Sequence, residues 1–290
     1  MTDKLTFMHL TDLHVGNPEV PDASLLSDTN ATLRTILAEV GSFHPAPSFV
    51  VVSGDITNRG EVGGYEAVKA IFAAAALPMP VLFALGNHDT RPAFYRAVLG
   101  RDDNSTAPYD HDRVIEDLHI IVLDSSVAGR IGGNLTCAQF DWLKGRLDAH
   151  PALRKLLVLH HGPMLDEDDP ATEWEALTAT ATRRLRELLA GYNNIAGILT
   201  GHIHYDRVSS WYGIPLVVGI GQHAATDVLT LGDGLRSVAG ASFVVGTLRP
   251  SGLTVSFTPQ PSDRHEVGRM TADGLTEMIR KYDDEPEKEA

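Results

Sequence analysis

The stretch Phe49-Val50-Val51-Val52-Ser53-Gly54-Asp55 joins a continuous apolar run to a glycine and a carboxylate. Four successive apolar residues are typical of a strand that is buried on both faces, because each face then needs apolar side chains. Gly54 and Asp55 follow directly, so a carboxylate stands at the carboxyl end of the strand. The stretch therefore predicts a parallel sheet covered on both sides, with a polar group at its edge.

Strand and helix patterns alternate on both sides of this stretch. Residues 5–10 read as a strand, and apolar residues at the i, i+3, i+4, i+7 spacing of an amphipathic helix follow at Leu33, Ile36, Leu37, Val40 and Phe43. Downstream we predict strands at 81–85, 120–123, 156–159 and 195–199, and helices at 65–76, 93–99, around 140–147 and roughly 173–189. Short strands with glycine turns follow at 208–212, 215–219, 243–248 and 253–258, and a last helix at 274–282.

Helices interleaved with strands and then followed by a run of strands indicate an α/β fold. Two packed sheets with helices on the outside accommodate this order. We find no internal repeat and no linker long enough to separate domains. We predict one domain over residues 1–290, in which 259–290 form a C-terminal extension with a charged tail.

Composition restricts the partners and the compartment. The net charge of −14, without a basic cluster, argues against a nucleic-acid polymer as partner. No apolar stretch approaches the roughly 18 residues of a membrane span, and residues 1–4 lack the layout of a signal peptide. Cys137 is the single cysteine, which excludes an internal disulfide. A cytoplasmic protein is the simplest interpretation.

Five short segments with metal-ligand residues each follow an apolar run. They are Asp12-Leu13-His14, Gly54-Asp55, Gly86-Asn87-His88-Asp89, His160-His161 and Gly201-His202-Ile203-His204. In an extended segment residues i and i+2 point the same way, so Asp12 and His14 could reach one ion. Taken alone, Asp12 and Asp55 could equally be turn or capping residues. Together the segments predict two adjacent metal ions, which suit attack on a phosphate ester by metal-bound hydroxide.

The Gly86–Asp89 segment suggests separate roles for its members. Asn87 offers a neutral carbonyl oxygen, a weak ligand that could give way to substrate. His88 is one step out of phase with Asn87 and remains free for acid–base work. Asp89 is either a partner that orients a ligand histidine or a turn residue.

The five segments, in this order, resemble the calcineurin-like metallophosphoesterase superfamily. Within it the chain is similar to the branch of the class III cyclic-nucleotide phosphodiesterases and bacterial glycerophosphodiesterases. Supporting phrases are Leu10-Thr11-Asp12-Leu13-His14, Val52-Ser53-Gly54-Asp55-Ile56-Thr57, Leu123-Asp124-Ser125-Ser126 and the stretch 132–147. The likeness covers about residues 5–220.

The resemblance implies a four-layer α-β-β-α sandwich with two central mixed sheets. It also implies two metal ions, drawn from iron, manganese, zinc or cobalt, and a ligand set. One ion is bound by Asp12, His14 and His204, the other by Asn87, His160 and His202, and Asp55 bridges them. The branch's histidine follows the strand directly, which favours His160 over His161, although Gly162-Pro163 departs from the Pro-Pro of the branch.

The expected function is hydrolysis of a small phosphodiester, either a cyclic nucleotide or a glycerophosphodiester. His88 is the predicted catalytic residue that assists the leaving oxygen, and Asn87, His88 and His223 are the predicted substrate-binding residues. A phosphomonoesterase or nucleotidase with the same site is the alternative, and a catalytically silent binding module is a third. A homodimer is plausible.

Several other residues carry lesser predictions. Asn58, Arg59 and Tyr65 could shape the rim of the site. Cys137 is expected to be an inert, partly buried thiol, and the run 183–186 to be a solvated helix face.

Overall fold

A computed structural model describes residues 4–102, 105–169, 173, 175–229 and 236–260. Its elements, in chain order, are β1 (Leu5–Leu10), α1 (Thr29–Ser42), β2 (Phe49–Ser53), α2 (Val62–Ala75), β3 (Val81–Ala84), α3 (Arg91–Ala97), β4 (His111–Ile115), β5 (Leu118–Val122), α4 (Cys137–Asp148), β6 (Arg154–Val158), α5 (Ala179–Leu189), β7 (Ile195–Thr200), β8 (Arg207–Trp211), β9 (Ile214–Val218), β10 (Ala225–Thr226), β11 (Ser237–Val238), β12 (Ala241–Arg249) and β13 (Gly252–Gln260). Within this part of the chain no helix is long and apolar enough to cross a membrane.

Two mixed sheets form the centre of the molecule. The first has the order β13-β12-β1-β2-β3, in which β1, β2 and β3 are parallel and β12 and β13 antiparallel. The second has the order β4-β5-β6-β7-β9-β8, in which β5, β6, β7 and β9 are parallel and the two edge strands antiparallel. β10 and β11 form a separate two-stranded sheet.

The continuous apolar run of β2 serves two cores. Val50 and Val52 pack among residues of α1, α2 and α3, whereas Phe49 and Val51 pack between the two sheets. On the far side of the second sheet, α4 and α5 cover a third apolar cluster that includes Leu143. The order of layers is helices, sheet, sheet, helices, so the predicted four-layer α-β-β-α sandwich is confirmed.

Short local signals begin the helices at the places observed. Asp28 caps α1 by accepting a hydrogen bond from the main-chain nitrogen of Ala31 at 2.9 Å. Thr136 and Gln139 form a capping box at α4, where each side chain accepts from the other's main-chain nitrogen. These caps fix the loops that lead into the helices.

The sequence pattern misplaced the start of one helix and missed the edge strand β4 and the short strands β10 and β11. The helix predicted from residue 173 begins only at Ala179, because Thr178 caps it and the Glu173 carboxylate instead accepts from the main-chain nitrogens of Leu165 and Asp166. The edge strand β4 was missed because its sequence, His111 to Ile115, is mostly polar. The helix predicted at 274–282 and the charged tail lie outside the described residues, so the single-domain assignment of 1–290 stays a prediction.

Candidate metal centre

The carboxyl ends of five strands meet at one place. β1, β2 and β3 are parallel to one another, as are β6 and β7, so each set ends at one edge of its sheet. The loops after these strands carry every predicted ligand: Asp12, His14, Asp55, Asn87, His160, His202 and His204. The main-chain nitrogen of Asp12 donates to the oxygen of Gly54 at 3.0 Å, which fixes the first loop against the second.

The side chains of these loops converge. Asp12 Oδ1 lies 3.3 Å from His204 Nε2, and Asp55 Oδ2 lies 3.3 Å from His160 Nε2 and 3.6 Å from His14 Nε2. Two ring nitrogens, Nε2 of His14 and Nε2 of His204, face each other at 3.3 Å. The Asp55 carboxylate thus stands between an imidazole from the first sheet and one from the second.

The opposite ring nitrogens show where the lone pairs point. Nδ1 contacts Asn58 Oδ1 at 3.0 Å in His14, the main-chain oxygen of Ala224 at 3.0 Å in His204, and the main-chain oxygen of Ser53 at 2.9 Å in His160. These oxygens only accept, so Nδ1 carries the proton and the neutral ring keeps its lone pair on Nε2. Three Nε2 lone pairs are therefore directed at the two carboxylates, which is the arrangement that a metal ion requires.

Both ring nitrogens of the second histidine after β6, His161, form hydrogen bonds with residues outside the centre. His161 contacts Ser125 Oγ through Nδ1 and the main-chain oxygen of Ile131 through Nε2, each at 2.8 Å. The Ile131 oxygen takes the Nε2 proton, and the Ser125 hydroxyl can donate to Nδ1. Although His161 is close enough to join His160 and His202 in a group of possible ligands, it has no free lone pair, and we assign His160 in preference.

His202 and Asn87 complete the second side of the centre. Nε2 of His202 is buried and has no hydrogen-bond partner among the described residues, and Asn87 Oδ1 lies 3.2 Å from His160 Nε2. Burial, followed by the nearby His160, lowers the pKa of His202 to about 4. A neutral, unpartnered imidazole nitrogen in the interior fits a metal ligand.

Electrostatic coupling links the carboxylates to the imidazoles. Burial alone would raise the pKa of both carboxyl groups, but nearby histidines, His204 for Asp12 and His160 for Asp55, hold it below the usual range. Burial disfavours the charged form of His160, yet Asp55 and Asp12 raise its pKa to about 9. A metal ion bound at His160 must therefore displace a proton.

The backbone at the ligands differs from the extended form that the i, i+2 spacing assumed. Asp12, His14, Asp55, His202 and His204 have φ of 48°, 42°, 48°, 78° and 53°. Such left-handed conformations cost about 1–2 kcal/mol per non-glycine residue and collect at functional sites. Asp12 and His14 do converge, but the premise of an extended segment was wrong, because tight turns rather than strand alternation aim the two side chains.

Two glycines are required by close packing around the carboxylates. A Cβ on Gly86 would collide with Asp55 Oδ1, and one on Gly201 with Thr11 Oγ1 and Asp12 Oδ2. The glycines let the loops after β3 and β7 approach these acids.

His88 lies at the exposed mouth of the centre. Its main-chain nitrogen donates to Asp55 Oδ1 at 2.8 Å, and its Nδ1 contacts the main-chain oxygen of Asn58 at 2.9 Å. Its ring centroid is 4.6 Å from that of His14. Because Nδ1 donates to a carbonyl, Nε2 is the nitrogen that remains for substrate.

Asp89 holds the loops rather than a ligand histidine. It is partly buried and accepts from the main-chain nitrogens of Ile56, Thr57 and Gly86 and from the Tyr65 hydroxyl. Burial, together with Asp55, raises its pKa to about 6. Of the two roles considered for Asp89, that of a turn residue is the one that these contacts match.

The residues predicted at the rim have different positions. Tyr65 is fully buried, so its assignment to the rim was wrong. Arg59 forms a two-point ion pair with Asp22, while Asn58 is buried and donates to Asp22 Oδ2 at 2.6 Å. That contact leaves Asn58 Oδ1 to orient His14. Sequence reasoning missed Asp22, since nothing local marks it.

Two predictions about other side chains are revised by the structure. Cys137 is exposed rather than partly buried, because it is the first residue of α4, and Arg184 Nη1 lies 3.0 Å from its sulfur. In the run 183–186, Leu185 is fully buried and Arg186 pairs with Glu167, so this helix face is only partly solvated.

A cavity of about 570 Å³ opens beside His202 and His204, and His223 lines it. The His223 ring centroid is 4.8 Å from that of His14, and its Nε2 accepts from the main-chain nitrogen of Leu26 at 3.0 Å. Two carboxylates, four imidazoles and one amide oxygen, gathered beside a cavity, fit divalent or trivalent first-row metals.

Comparison with known proteins agrees with this geometry. Residues 5–206 match the calcineurin-like phosphoesterase family. The chain belongs to that family. The match covers all seven predicted ligands, β1 to β3 of the first sheet and β4 to β7 of the second.

Curated relatives are phosphodiesterases. The chain is 34% identical to a probable cyclic nucleotide phosphodiesterase of Rhodococcus erythropolis (73% of this chain, 68% of the relative). It is 30% identical to a cAMP/cGMP dual specificity phosphodiesterase of Mycobacterium tuberculosis (81% and 72%). It is 27% identical to a probable glycerophosphodiester phosphodiesterase of Arcobacter nitrofigilis (75% and 77%). The predicted family, its branch and the class of metal-dependent phosphodiesterase are confirmed.

The fold is also that of solved structures. A dimetal phosphatase of Danio rerio matches with a TM-score of 0.63 at 14% identity, covering 88% of this chain and 96% of the other. Identity this low supports the fold class alone.

Proposed function

We propose that this protein hydrolyses small phosphodiesters, with cyclic nucleotides as the first candidates, at a dinuclear metal centre. The observation that carries the proposal is the position of the Asp55 carboxylate between Nε2 of His14 and Nε2 of His160, at 3.6 and 3.3 Å. A carboxylate has two oxygens and can bridge two cations. Asp12, His14 and His204 would hold one ion, and Asn87, His160 and His202 the other.

The charge of the centre favours cations. Within the described residues, every ion pair of Asp12 and Asp55 is with a histidine and none with lysine or arginine. Buried carboxylates without fixed positive partners are costly, and bound cations would neutralise them. Iron, manganese, zinc and cobalt all accept imidazole and carboxylate ligands.

Two bound ions would neutralise charge on the phosphoryl oxygens and lower the pKa of water, so that hydroxide is available as nucleophile at neutral pH. The chain itself supplies orientation. Asp55 would hold both ions and Asn87 one of them, and the hydrogen bond that Asn58 Oδ1 accepts from His14 Nδ1 keeps His14 aimed at the centre. His223 borders the substrate on the side of the cavity.

His88 is the proposed proton donor to the leaving oxygen. Its Nδ1 is held by the main-chain oxygen of Asn58 at 2.9 Å, which leaves Nε2 directed at the open side. Its exposure lets the ring exchange protons with solvent between turnovers. The proposed ligand set excludes His88, although its ring is close enough to His14 and Asp55 to form a group of possible ligands, so the metal content of a His88 variant tests this role.

A glycerophosphodiester is the second candidate, since one curated relative is named for that activity. Retention of all seven ligand positions favours an enzyme over a silent binding module. The single cysteine is compatible with a cytoplasmic enzyme. The homodimer stays a prediction.

The proposal is tested with purified protein loaded with manganese. The rate of hydrolysis is measured for an aryl phosphodiester, the matching monoester, cAMP, cGMP and glycerophosphocholine, and bound metal is counted by elemental analysis. We expect two ions per chain, preference for the diester and turnover of the cyclic nucleotides. Preference for the monoester would contradict the proposal, and so would one ion per chain.

A further inference from the structure

The cavity beside the metal centre is larger than a phosphoryl group requires. Its volume of about 570 Å³ is within the range of pockets that enclose small organic ligands. The loop that carries the ligand histidines continues into its wall, since Tyr205 and Arg207 directly follow His204 and both line the cavity. A substrate bound at the centre can therefore place its organic group against this wall.

Arg207 offers a donor that the described residues leave unused. Its Nη1 donates to the Tyr205 hydroxyl at 3.1 Å, and its guanidinium carbon lies 5.5 Å from the centroid of the Tyr205 ring. Its Nε is buried and has no hydrogen-bond partner in the described part of the chain. Because this nitrogen is buried, a ligand would meet the rest of the guanidinium, and Arg207 is the one arginine or lysine in the described lining of the cavity.

Glu175 provides an acceptor in the same cavity. Two glutamates line it, but Glu173 already accepts from the main-chain nitrogens of Leu165 and Asp166 at 2.6 and 2.8 Å. The Glu175 carboxylate accepts from its own main-chain nitrogen, and the positive charge of Arg207 acts on it without a direct ion pair between the two side chains. The cavity thus presents one cationic donor and one anionic acceptor to the same ligand.

This pairing discriminates between organic groups. For a cationic choline or ethanolamine group, repulsion by Arg207 would offset attraction by Glu175, and for a second anionic group repulsion by Glu175 would offset attraction by Arg207. A glycerol group would fill little of the volume. A nucleobase edge carries ring acceptors next to an exocyclic amino donor, and arginine and glutamate are common partners of those two groups.

We propose that Arg207 and Glu175 determine specificity by binding the purine base of a cyclic nucleotide. Arg207 donates to N7, the ring acceptor beside the C6 substituent that adenine and hypoxanthine share, and Glu175 accepts from the exocyclic amino group of adenine. This inference rests on the proposed function, because it assigns the organic group of the same substrate.

The test compares kcat/KM for cAMP, for inosine 3′,5′-cyclic monophosphate and for bis(p-nitrophenyl) phosphate. The inosine analogue replaces the exocyclic amino group by an oxygen, and the aryl diester has no base. The variants are Arg207→Ala and Glu175→Gln, with Arg183→Ala and Glu187→Gln, both exposed on α5, as matched controls.

We expect Arg207→Ala to lower kcat/KM for both cyclic nucleotides by about tenfold to a hundredfold, as for loss of a charged hydrogen bond. The aryl diester should change less than twofold. Wild type should prefer cAMP to the inosine analogue, and Glu175→Gln should abolish that preference, since a glutamine amide can donate to the inosine oxygen. The controls should leave all three values unchanged.

Equal losses on all three substrates would overturn the inference, because they would indicate a structural role. Unchanged cyclic-nucleotide values in both variants would overturn it as well, while leaving the proposed function intact. If wild type cleaves the aryl diester but neither cyclic nucleotide, the proposed substrate is wrong and the base assignment falls with it. That outcome is recognised from wild type alone.

Discussion

Two clusters on this fold place a buried histidine beside an aspartate, and they differ in the partners of the imidazole nitrogens. In the metal centre, Nε2 of His14 and of His160 faces Asp55 while Nδ1 is held by an oxygen acceptor. In the second cluster, on β4 and β5, His119 Nε2 meets Asp112 Oδ2 directly at 2.7 Å. That contact uses Nε2, and although Nδ1 of His119 is buried without a hydrogen-bond partner among the described residues, no group of three possible ligands in the described part of the chain includes it.

The charge balance of the two clusters differs in the same sense. Asp112 is 3.7 Å from Arg146 Nη1, so a fixed cation offsets its charge. Asp12 and Asp55 have only histidines as ion-pair partners in the described part of the chain. Burial of histidine beside aspartate is therefore insufficient evidence for a metal site. The metal centre differs from the second cluster because its imidazole lone pairs converge and its carboxylates have no lysine or arginine partner in the described part of the chain.

The largest effect is expected when a central carboxylate is removed. Asp55→Asn takes away the proposed bridge and should lower kcat for a diester by about 10³-fold or more and reduce bound metal below two per chain. Asp112→Asn, its matched control in the other cluster, should stay within twofold of wild type. Initial rates and elemental analysis measure both. Full metal content and activity in Asp55→Asn would erase the distinction drawn between the clusters.

Replacement of His88 is expected to lower kcat strongly without loss of bound metal. Because His88 is proposed to protonate the leaving oxygen, His88→Ala should lower kcat by about 10²-fold or more for an alkoxide leaving group. The loss should be smaller for p-nitrophenolate, which leaves without a proton. Steady-state rates on cAMP and on the aryl diester, with metal analysis, provide the comparison. Loss of an ion from this variant would instead make His88 a ligand.

A moderate loss of metal affinity is expected when the hydrogen-bond partner of a ligand histidine is removed. Asn58 accepts from His14 Nδ1 at 3.0 Å, so Asn58→Ala should weaken metal binding by about 10–100-fold, as for other partners of ligand histidines. Asn17→Ala, on the loop after β1, removes an asparagine whose side chain accepts from the main-chain nitrogen of Glu19 and is the control. Manganese titration by calorimetry measures both affinities. Equal affinities in the two variants would refute the orienting role.

The smallest expected effect is on the pH dependence of the unfolding free energy, and it comes from His9, a buried histidine that has no carboxylate in hydrogen-bond contact. Burial lowers the pKa of His9 to about 4 although Asp12 opposes the shift, whereas the carboxylates raise that of His160. His9 is neutral in the folded state at pH values where the unfolded chain takes up a proton. Its contribution to stability is therefore complete above the unfolded pKa of 6.5 and is lost as pH falls towards about 4.

Between pH 7 and pH 5.5 this loss should amount to about 1 kcal/mol of unfolding free energy. In His9→Gln that part of the pH dependence should disappear, whatever the absolute stability of the variant. Urea unfolding of the metal-free protein at the two pH values gives both differences. An identical pH dependence in wild type and variant would show that His9 does not titrate on unfolding in this range.

Sequence reasoning succeeded where the signal was local. The apolar run at Val50–Val52 and the helical spacing of Leu33 and Ile36 predicted elements that the structure contains. Sequence reasoning failed where a side chain's partner is distant in the sequence. Tyr65 was placed at the rim because it follows Asp55 in sequence, but its hydroxyl is bound by Asp89 in the interior. α5 was begun too early because the loop contacts of Glu173 are not visible in a helical pattern.

The sequence by itself determined the layers and the supply of ligands. Apolar runs and helical spacing are short-range patterns, and the carboxyl ends of parallel strands collect at one edge, so residue types after those strands already identify a site. Only the tertiary structure decided which nitrogen of each imidazole faces the centre, why His160 rather than His161 is available, and which side chains share the cavity. These outcomes depend on contacts between distant residues, such as His14 and His204, which are 190 positions apart. A linear pattern cannot specify the direction of a lone pair, because that direction is set by the acceptor on the other side of the ring.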